Sequence, residues 1–142
     1  MLKSIIFRDI DNLAKHINTL YESIFKKYGL HRGQFSFITR IVENHSISLK
    51  DLASSLRVDK TTVTKAIQKL ENIGYVKKIQ DNSDNRLFHL IATDNGIHLY
   101  KNIIKEKNHI LEKVLQNFSD SEIVEFSVLI NRMNNCLTRY YR

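Results

Sequence analysis

Ile6, Ile10, Leu13, Ile17, Leu20 and Ile24 recur at steps of four and three, the spacing of one face of a long helix. The stripe predicts a helix from about residue 3 to Tyr28, where Gly29 can end it. A second helix turns Phe35, Ile38, Ile41 and Val42 inward before the polar break Glu43-Asn44-His45-Ser46. Ser48-Leu49-Lys50-Asp51 is close to a capping box and opens a short helix through Leu56, with Leu52, Ala53 and Leu56 on one side. Asp59 is a good N-cap, because its carboxylate can accept from backbone N–H groups at the start of the next helix. That helix runs from Lys60 to about Asn72 on a stripe of Val63, Ala66, Ile67, Leu70 and Ile73, and Gly74 closes it.

The period then changes. Tyr75 to Gln80 and Arg86 to Ile91 are β-prone runs flanking Asp81-Asn82-Ser83-Asp84-Asn85, whose polar residues are turn chemistry, so a two-stranded hairpin is expected. Thr93 is a further N-cap. From it to Asn117 a second long helix carries Ile97, Tyr100, Ile103 or Ile104, Ile110 or Leu111, Val114 and Phe118. Ser119-Asp120-Ser121-Glu122 starts the last helix, striped by Ile123, Phe126, Leu129 or Ile130, Met133, Leu137 and Tyr140. Two short helices joined by a tight turn and followed by a hairpin describe a winged helix-turn-helix, within a mainly α fold of about six helices. The long flanking helices carry more apolar surface than one small core can use, which argues for a second subunit and a symmetric dimer.

Composition narrows the class. At 142 residues the chain fits one compact domain, and 42% hydrophobic with 26% charged residues excludes disorder. No proline and four glycines disfavour a many-stranded β fold. A lone Cys136 excludes a disulfide-stapled secreted scaffold. The N-terminal apolar run is too short for a secretory signal, and no stretch approaches a membrane span, so a cytoplasmic protein is expected. The formal charge of +7 points to an anionic partner.

Placed at about 100° per residue, the helix from Lys60 sets Thr61, Lys65, Gln68 and Asn72 opposite its apolar stripe, with Thr64 and Lys69 at the flanks. None of these is acidic. Glutamine can make a bidentate contact to adenine, lysine can reach guanine or phosphate, and threonine methyls can touch thymine. The N-terminal end of such a helix normally points at base edges, which favours Thr61, Thr62, Thr64 and Lys65. The hairpin adds Lys77 and Lys78, and Arg86 stands at its turn, where an arginine suits a narrow, electronegative minor groove. Asp84 is placed to hold that guanidinium extended. From Arg57 to Leu90, Arg57, Lys60, Lys65, Lys69, Lys77, Lys78 and Arg86 outnumber Asp59, Glu71, Asp81 and Asp84, as phosphate binding requires.

Leu52-Ala53, Val58-Asp59-Lys60-Thr61-Thr62-Val63-Thr64, Leu70-Glu71-Asn72-Ile73-Gly74-Tyr75-Val76, Asp84-Asn85-Arg86 and Ala92-Thr93-Asp94-Asn95-Gly96 together resemble the signature of the MarR regulators. The likeness spans roughly residues 5 to 140, and Leu30-His31-Arg32-Gly33-Gln34-Phe35 resembles the start of that family's second helix, with His31 where the family has a Thr or Ser cap. The resemblance implies a dimer whose interface comes from segments 1–30 and 97–142, with a DNA-binding lobe at 31–96, all within one domain. It implies binding to pseudo-palindromic double-stranded DNA, with the helix around Thr61, Thr64, Lys65 and Gln68 in the major groove and Arg86 in the minor groove. Many members are repressors released by a small, often anionic aromatic ligand.

For such a ligand the junction of the first two helices offers Tyr21, Phe25, Tyr28, His31, Arg32 and Phe35, aromatic rings beside cationic donors. The same mixture describes a small core and its rim. The oxidant-sensing branch uses a cysteine near the N-terminus, where this chain has none; Cys136, near Met133 and Tyr140, is expected to be a buried structural thiol. His16, Glu43, His45, His109 and Glu112 lack the spacing of a transition-metal site, so no metal or cofactor is expected. No GxSxG, glycine-rich phosphate loop or close acid pair suggests an enzyme. A helical protein–protein adaptor and a non-specific DNA binder are the competing readings.

Overall fold

The computed structural model describes residues 1–141. The first apolar stripe forms α1 (Leu2–Lys27), which buries only its end, at Ile24 and Phe25. Gly29, at φ +67°, turns the chain, and the Leu30 N–H returns to the Phe25 carbonyl at 3.1 Å, the bond pattern of a Schellman cap. Helix α2 (Arg32–Glu43) has His31 at its N-cap, where Gln34 Oε1 accepts from the His31 N–H at 2.8 Å. It buries Phe35, Phe37, Ile38 and Ile41. Phe37 is the extra core residue, and Val42, expected to face inward, is only half-buried at the last turn.

Ser46, at φ +59°, redirects the chain into β1 (Ile47–Ser48). Ser48 Oγ then accepts from the Asp51 N–H at 3.0 Å and starts α3 (Leu49–Leu56). After Arg57 in the left-handed conformation, Asp59 Oδ1 accepts from the Thr62 N–H at 2.7 Å and starts α4 (Lys60–Ile73). Both caps lie where the side-chain chemistry predicts. Val63, Ile67 and Leu70 are buried, whereas Ile73 is 50% exposed, contrary to its place in the predicted stripe. The reason is local: Gly74, at φ +93°, ends the helix, and the Tyr75 N–H turns back to the Leu70 carbonyl at 2.9 Å.

Strands β2 (Val76–Gln80) and β3 (Phe88–Ala92) form the antiparallel hairpin, with Lys78 opposite Leu90 and Ile79 opposite His89. The expected two strands become three, because β1 pairs with the other edge of β3, Ile47 opposite Leu90, giving the order β1-β3-β2. This short third strand had no signal of its own: two residues are too few to show a period.

Helix α5 (Asp94–Leu115) begins at Thr93, whose Oγ accepts from the Gly96 N–H at 3.1 Å. It buries Gly96, Leu99 and Ile103 rather than Ile97 and Tyr100, which stay half-buried. Gly96 sets this rotation, since its Cα lies against the Tyr75 carbonyl so closely that any Cβ would collide with it. The chain forms two compact units, Met1–Lys107 and Asn108–Arg142. The most deeply buried side chains of the first are Ile24, Phe25, Ile38, Ile41, Leu52, Val63, Ile67, Leu70, Leu90 and Ile103. In the second, Ser119 and Glu122 form a complete capping box at the start of α6 (Asp120–Leu137). No residue of α6 is buried, so Cys136 is exposed rather than a buried thiol: nothing within its unit covers the helix. No helix among the described residues is long and apolar enough to cross a membrane.

The Gly96 contact predicts that Gly96→Ala destabilises the protein. Alanine would gain about 1 kcal/mol of helix propensity, yet overpacking against a backbone carbonyl costs about 1–3 kcal/mol. A net downward shift of the urea midpoint is expected; an unchanged or raised midpoint would show that α5 can slide away at no cost.

Candidate nucleic-acid interface

Helix α4 is held by Val63, Ile67 and Leu70, so the opposite residues point outward: Lys60, Thr61, Thr62, Thr64, Lys65, Gln68, Lys69 and Asn72 are all exposed. Thr64 Oγ donates to the Lys60 carbonyl at 2.8 Å, which leaves that oxygen only acceptor capacity toward an outside group. The Gln68 side chain makes no hydrogen bond among the described residues, so its amide oxygen and nitrogen are both available. Asp59, the acid next to this face, is used in capping; the Thr62 N–H holds its carboxyl below the ordinary value.

The tip of the hairpin is organised by two carboxylates. Asp81 Oδ1 accepts from the Ser83 N–H at 2.8 Å, the Ser83 hydroxyl at 2.6 Å and the Asp84 N–H at 3.0 Å. Its other oxygen, Oδ2, lies 2.7 Å from His89 Nε2. These bonds, the Ser83 hydroxyl foremost, hold the Asp81 carboxyl far below the usual carboxylate range. Asp84 Oδ1 accepts from the Arg86 backbone N–H at 3.0 Å and from Nε–H at 3.2 Å, while Oδ2 accepts from Nη2 at 3.3 Å. The guanidinium is thus aligned although its side chain is 90% exposed. Lys78 lies over the Phe88 ring at 4.7 Å, and Lys77 makes no ion pair among the described residues.

At the second candidate site, Phe25 joins Tyr21 to Phe35, with ring centroids 6.2 and 4.9 Å from its own. Tyr100 stacks on Phe35 at 6.1 Å. Lys107 Nζ sits 4.1 Å from the Tyr21 centroid and 5.4 Å from that of Phe35. Burial, and then the nearby Arg32 guanidinium, lower the Lys107 pKa. Arg32 also donates to Asn18 Oδ1. Tyr28 is turned elsewhere, its hydroxyl donating to Glu106, the carboxylate that pairs with Lys27, and His31 is exposed at the start of α2. Among the described residues no group of three or more His, Cys, Asp or Glu could hold a metal ion.

A family model described as MarR family matches residues 30–88, the segment that holds α2 to α4, β2 and Arg86. The uncharacterized HTH-type transcriptional regulator YybA of Bacillus subtilis strain 168 is 32% identical over 134 residues, covering 94% of this chain and 89% of the relative. This chain belongs to the MarR family. A structure of a MarR protein from Peptoclostridium difficile is 39% identical, with a TM-score of 0.78 over 95% of this chain and 88% of that one. A MarR-family regulator from Listeria monocytogenes, solved with a 26mer DNA, is 30% identical, with a TM-score of 0.75 over 92% and 87% of the two chains. Among the described residues, six α-helices and a small antiparallel sheet as wing are therefore the MarR winged-helix arrangement, and the chain is a DNA-binding transcriptional regulator.

Within this MarR fold, sequence reasoning missed His89, Tyr100 and Lys107. His89 sits in a β-prone run and Lys107 in a polar stretch of a helix. Packing of separate elements brings His89 to Ser46 and Lys107 to Tyr21, so no spacing could have pointed to those contacts.

Proposed function

We propose that this MarR-family regulator is a sequence-specific repressor that binds a pseudo-palindromic operator as a homodimer in the cytoplasm. The observation that carries the reading is the pairing of an exposed, acid-free α4 face with Arg86 held at the wing tip by Asp84. Base edges would be read by Thr61, Thr62, Thr64, Lys65 and Gln68, with phosphates met by Lys60, Lys69, Lys77 and Lys78. Arg86 would enter the adjacent minor groove. Two features support a second copy: α1 leaves Ile6, Phe7, Leu13 and Ile17 exposed, and α6 leaves Val124, Phe126, Val128 and Leu129 exposed. Two reading helices one turn of DNA apart, about 10 base pairs, then match a two-fold operator.

Selection of bound duplexes from a random library tests this reading. An inverted repeat is the expected product; binding without sequence preference would leave a non-specific DNA binder, and no binding would leave the adaptor. With the selected duplex, Arg86→Ala is expected to lower affinity about tenfold or more while the dimer persists in sedimentation. Gln68→Ala should relax the preference at one base pair, costing about 1–3 kcal/mol there. An equal loss on every sequence would make Gln68 a phosphate contact.

We also propose that a small aromatic anion releases the DNA by binding where Lys107 lies on Tyr21 and Phe35. A half-buried ammonium beside a second cation is electrostatically uncomfortable, and an anion placed between Lys107 and Arg32 would relieve both. The rings are already packed, Phe25 and Phe35 being buried, so a guest would have to displace Lys107 from Tyr21. Benzoate is the probe: saturable heat on calorimetric titration is expected, and Lys107→Gln should abolish it. Equal binding by the variant would remove Lys107 from the site.

A further inference from the structure

The His89 side chain ties the wing tip to the helix-turn-helix body. Its Nε2 lies 2.7 Å from Asp81 Oδ2 in the turn, and its Nδ1 lies 3.0 Å from the Ser46 carbonyl in the α2–β1 turn. Both partners are acceptors. A neutral imidazole has one N–H and can satisfy only one of them, whereas the imidazolium donates to both. The geometry is therefore that of the charged ring.

From His89 the contacts continue without a gap. The same Asp81 carboxylate accepts from the Asp84 N–H, and the Asp84 carboxylate accepts from the backbone and guanidinium of Arg86. We propose that His89 is a proton-operated positioning residue for the wing: charged, it braces Asp81 and so sets Arg86 for DNA; neutral, it lets the tip loosen and affinity fall. The coupling to DNA rests on the reading that Arg86 enters the duplex; the clamp itself does not.

The electrostatic surroundings agree. Hydrogen bonding to Asp81, then to the Ser46 carbonyl, raises the His89 pKa above its ordinary 6.5. The charged groups facing the ring are acids, Asp81 from the turn and Asp51 from α3, while β2 places Ile79 opposite it. Lys78, beside Ile79, lies over Phe88. The sign follows: the brace is complete below the ordinary value and is lost as pH rises through the elevated one, with Asp81 ionised throughout.

The test compares wild type, His89→Gln, Asp81→Asn and Arg86→Ala at constant salt, from about pH 6 to about pH 8.5. NMR follows the His89 ring and the Ser83 and Asp84 amides in the protein alone; fluorescence anisotropy follows a labelled duplex selected by the wild type. Three results are expected. His89 titrates above 6.5, and the two amides exchange faster once it is neutral. Wild-type affinity falls by about fivefold more across the range than that of His89→Gln, the other histidines being common to both proteins. Asp81→Asn, whose amide oxygen still accepts from Ser83, lowers the His89 titration point and flattens the affinity profile in the same way. A His89 ring titrating at or below its ordinary value would overturn the clamp. Identical pH profiles for wild type and His89→Gln would overturn the coupling even with the clamp intact. Wild-type affinity in Arg86→Ala would overturn the wing reading, and the coupling with it, while the ring titration still decides the clamp.

Discussion

The junction at Thr93 is the constraint on which the relation of α4, the hairpin and α5 depends. The Thr93 N–H donates to the Tyr75 carbonyl at 3.0 Å, its hydroxyl donates to the Gly74 carbonyl at 2.5 Å, and the same oxygen accepts from the Gly96 N–H. One residue thus satisfies the end of α4, the entry to β2 and the start of α5. Gly96 completes the junction by bringing the α5 backbone onto the Tyr75 carbonyl, an approach closed to any residue with a Cβ. Because α4 ends and α5 begins at one point, the wing between them has a fixed base. Only its tip is left to local chemistry.

At that tip, order is made by polar contacts rather than burial. Ser83, Asn85 and Arg86 are exposed, and no apolar side chain could hold the turn. Instead Asp81 gathers three donors on one oxygen and Asp84 gathers two on one of its own. Such exposed bonds are individually weak, and an exposed ion pair adds little to stability. Under the proposed wing role their value lies in orientation, since a guanidinium already aligned would have less rotamer freedom to lose on docking.

Much of the fold was legible because each start and stop is local chemistry: Ser48, Asp59 and Ser119 as caps, Gly29 and Gly74 as stops, and the change of period at Tyr75. The α4 face could be read for the same reason, since a helix of known phase has a computable far side. What escaped depended on packing between elements. Leu99 replaced Tyr100 as a core residue because the Gly96 contact rotates α5, and Ile73 is exposed because Gly74 ends its helix and turns the chain back at Tyr75. Cys136 sits on an apolar stripe, yet a stripe is buried only where a neighbour meets it. Lys107 meets Tyr21, and His89 meets Ser46, across long stretches of chain, where neither period nor propensity carries information.

The acids near the proposed DNA face settle why a modest count of basic residues suffices there. Asp59 is committed to the first turn of α4, Asp81 to the wing turn and Asp84 to Arg86, and Glu71 is half-buried. Asp59, Asp81 and Asp84 therefore have their charge opposed by N–H donors, by His89 or by a guanidinium. Lys60, Lys65, Lys69 and Lys77 carry no ion pair among the described residues, so their charge is not cancelled locally. The net charge between Arg57 and Leu90 is unchanged by these bonds, but the acids are held in fixed local contacts while the four lysines remain free to meet an outside anion. Screening by salt acts on the second group far more than on the first. A rise in ionic strength would therefore weaken DNA attraction while leaving the caps and turns that shape the reading surface in place.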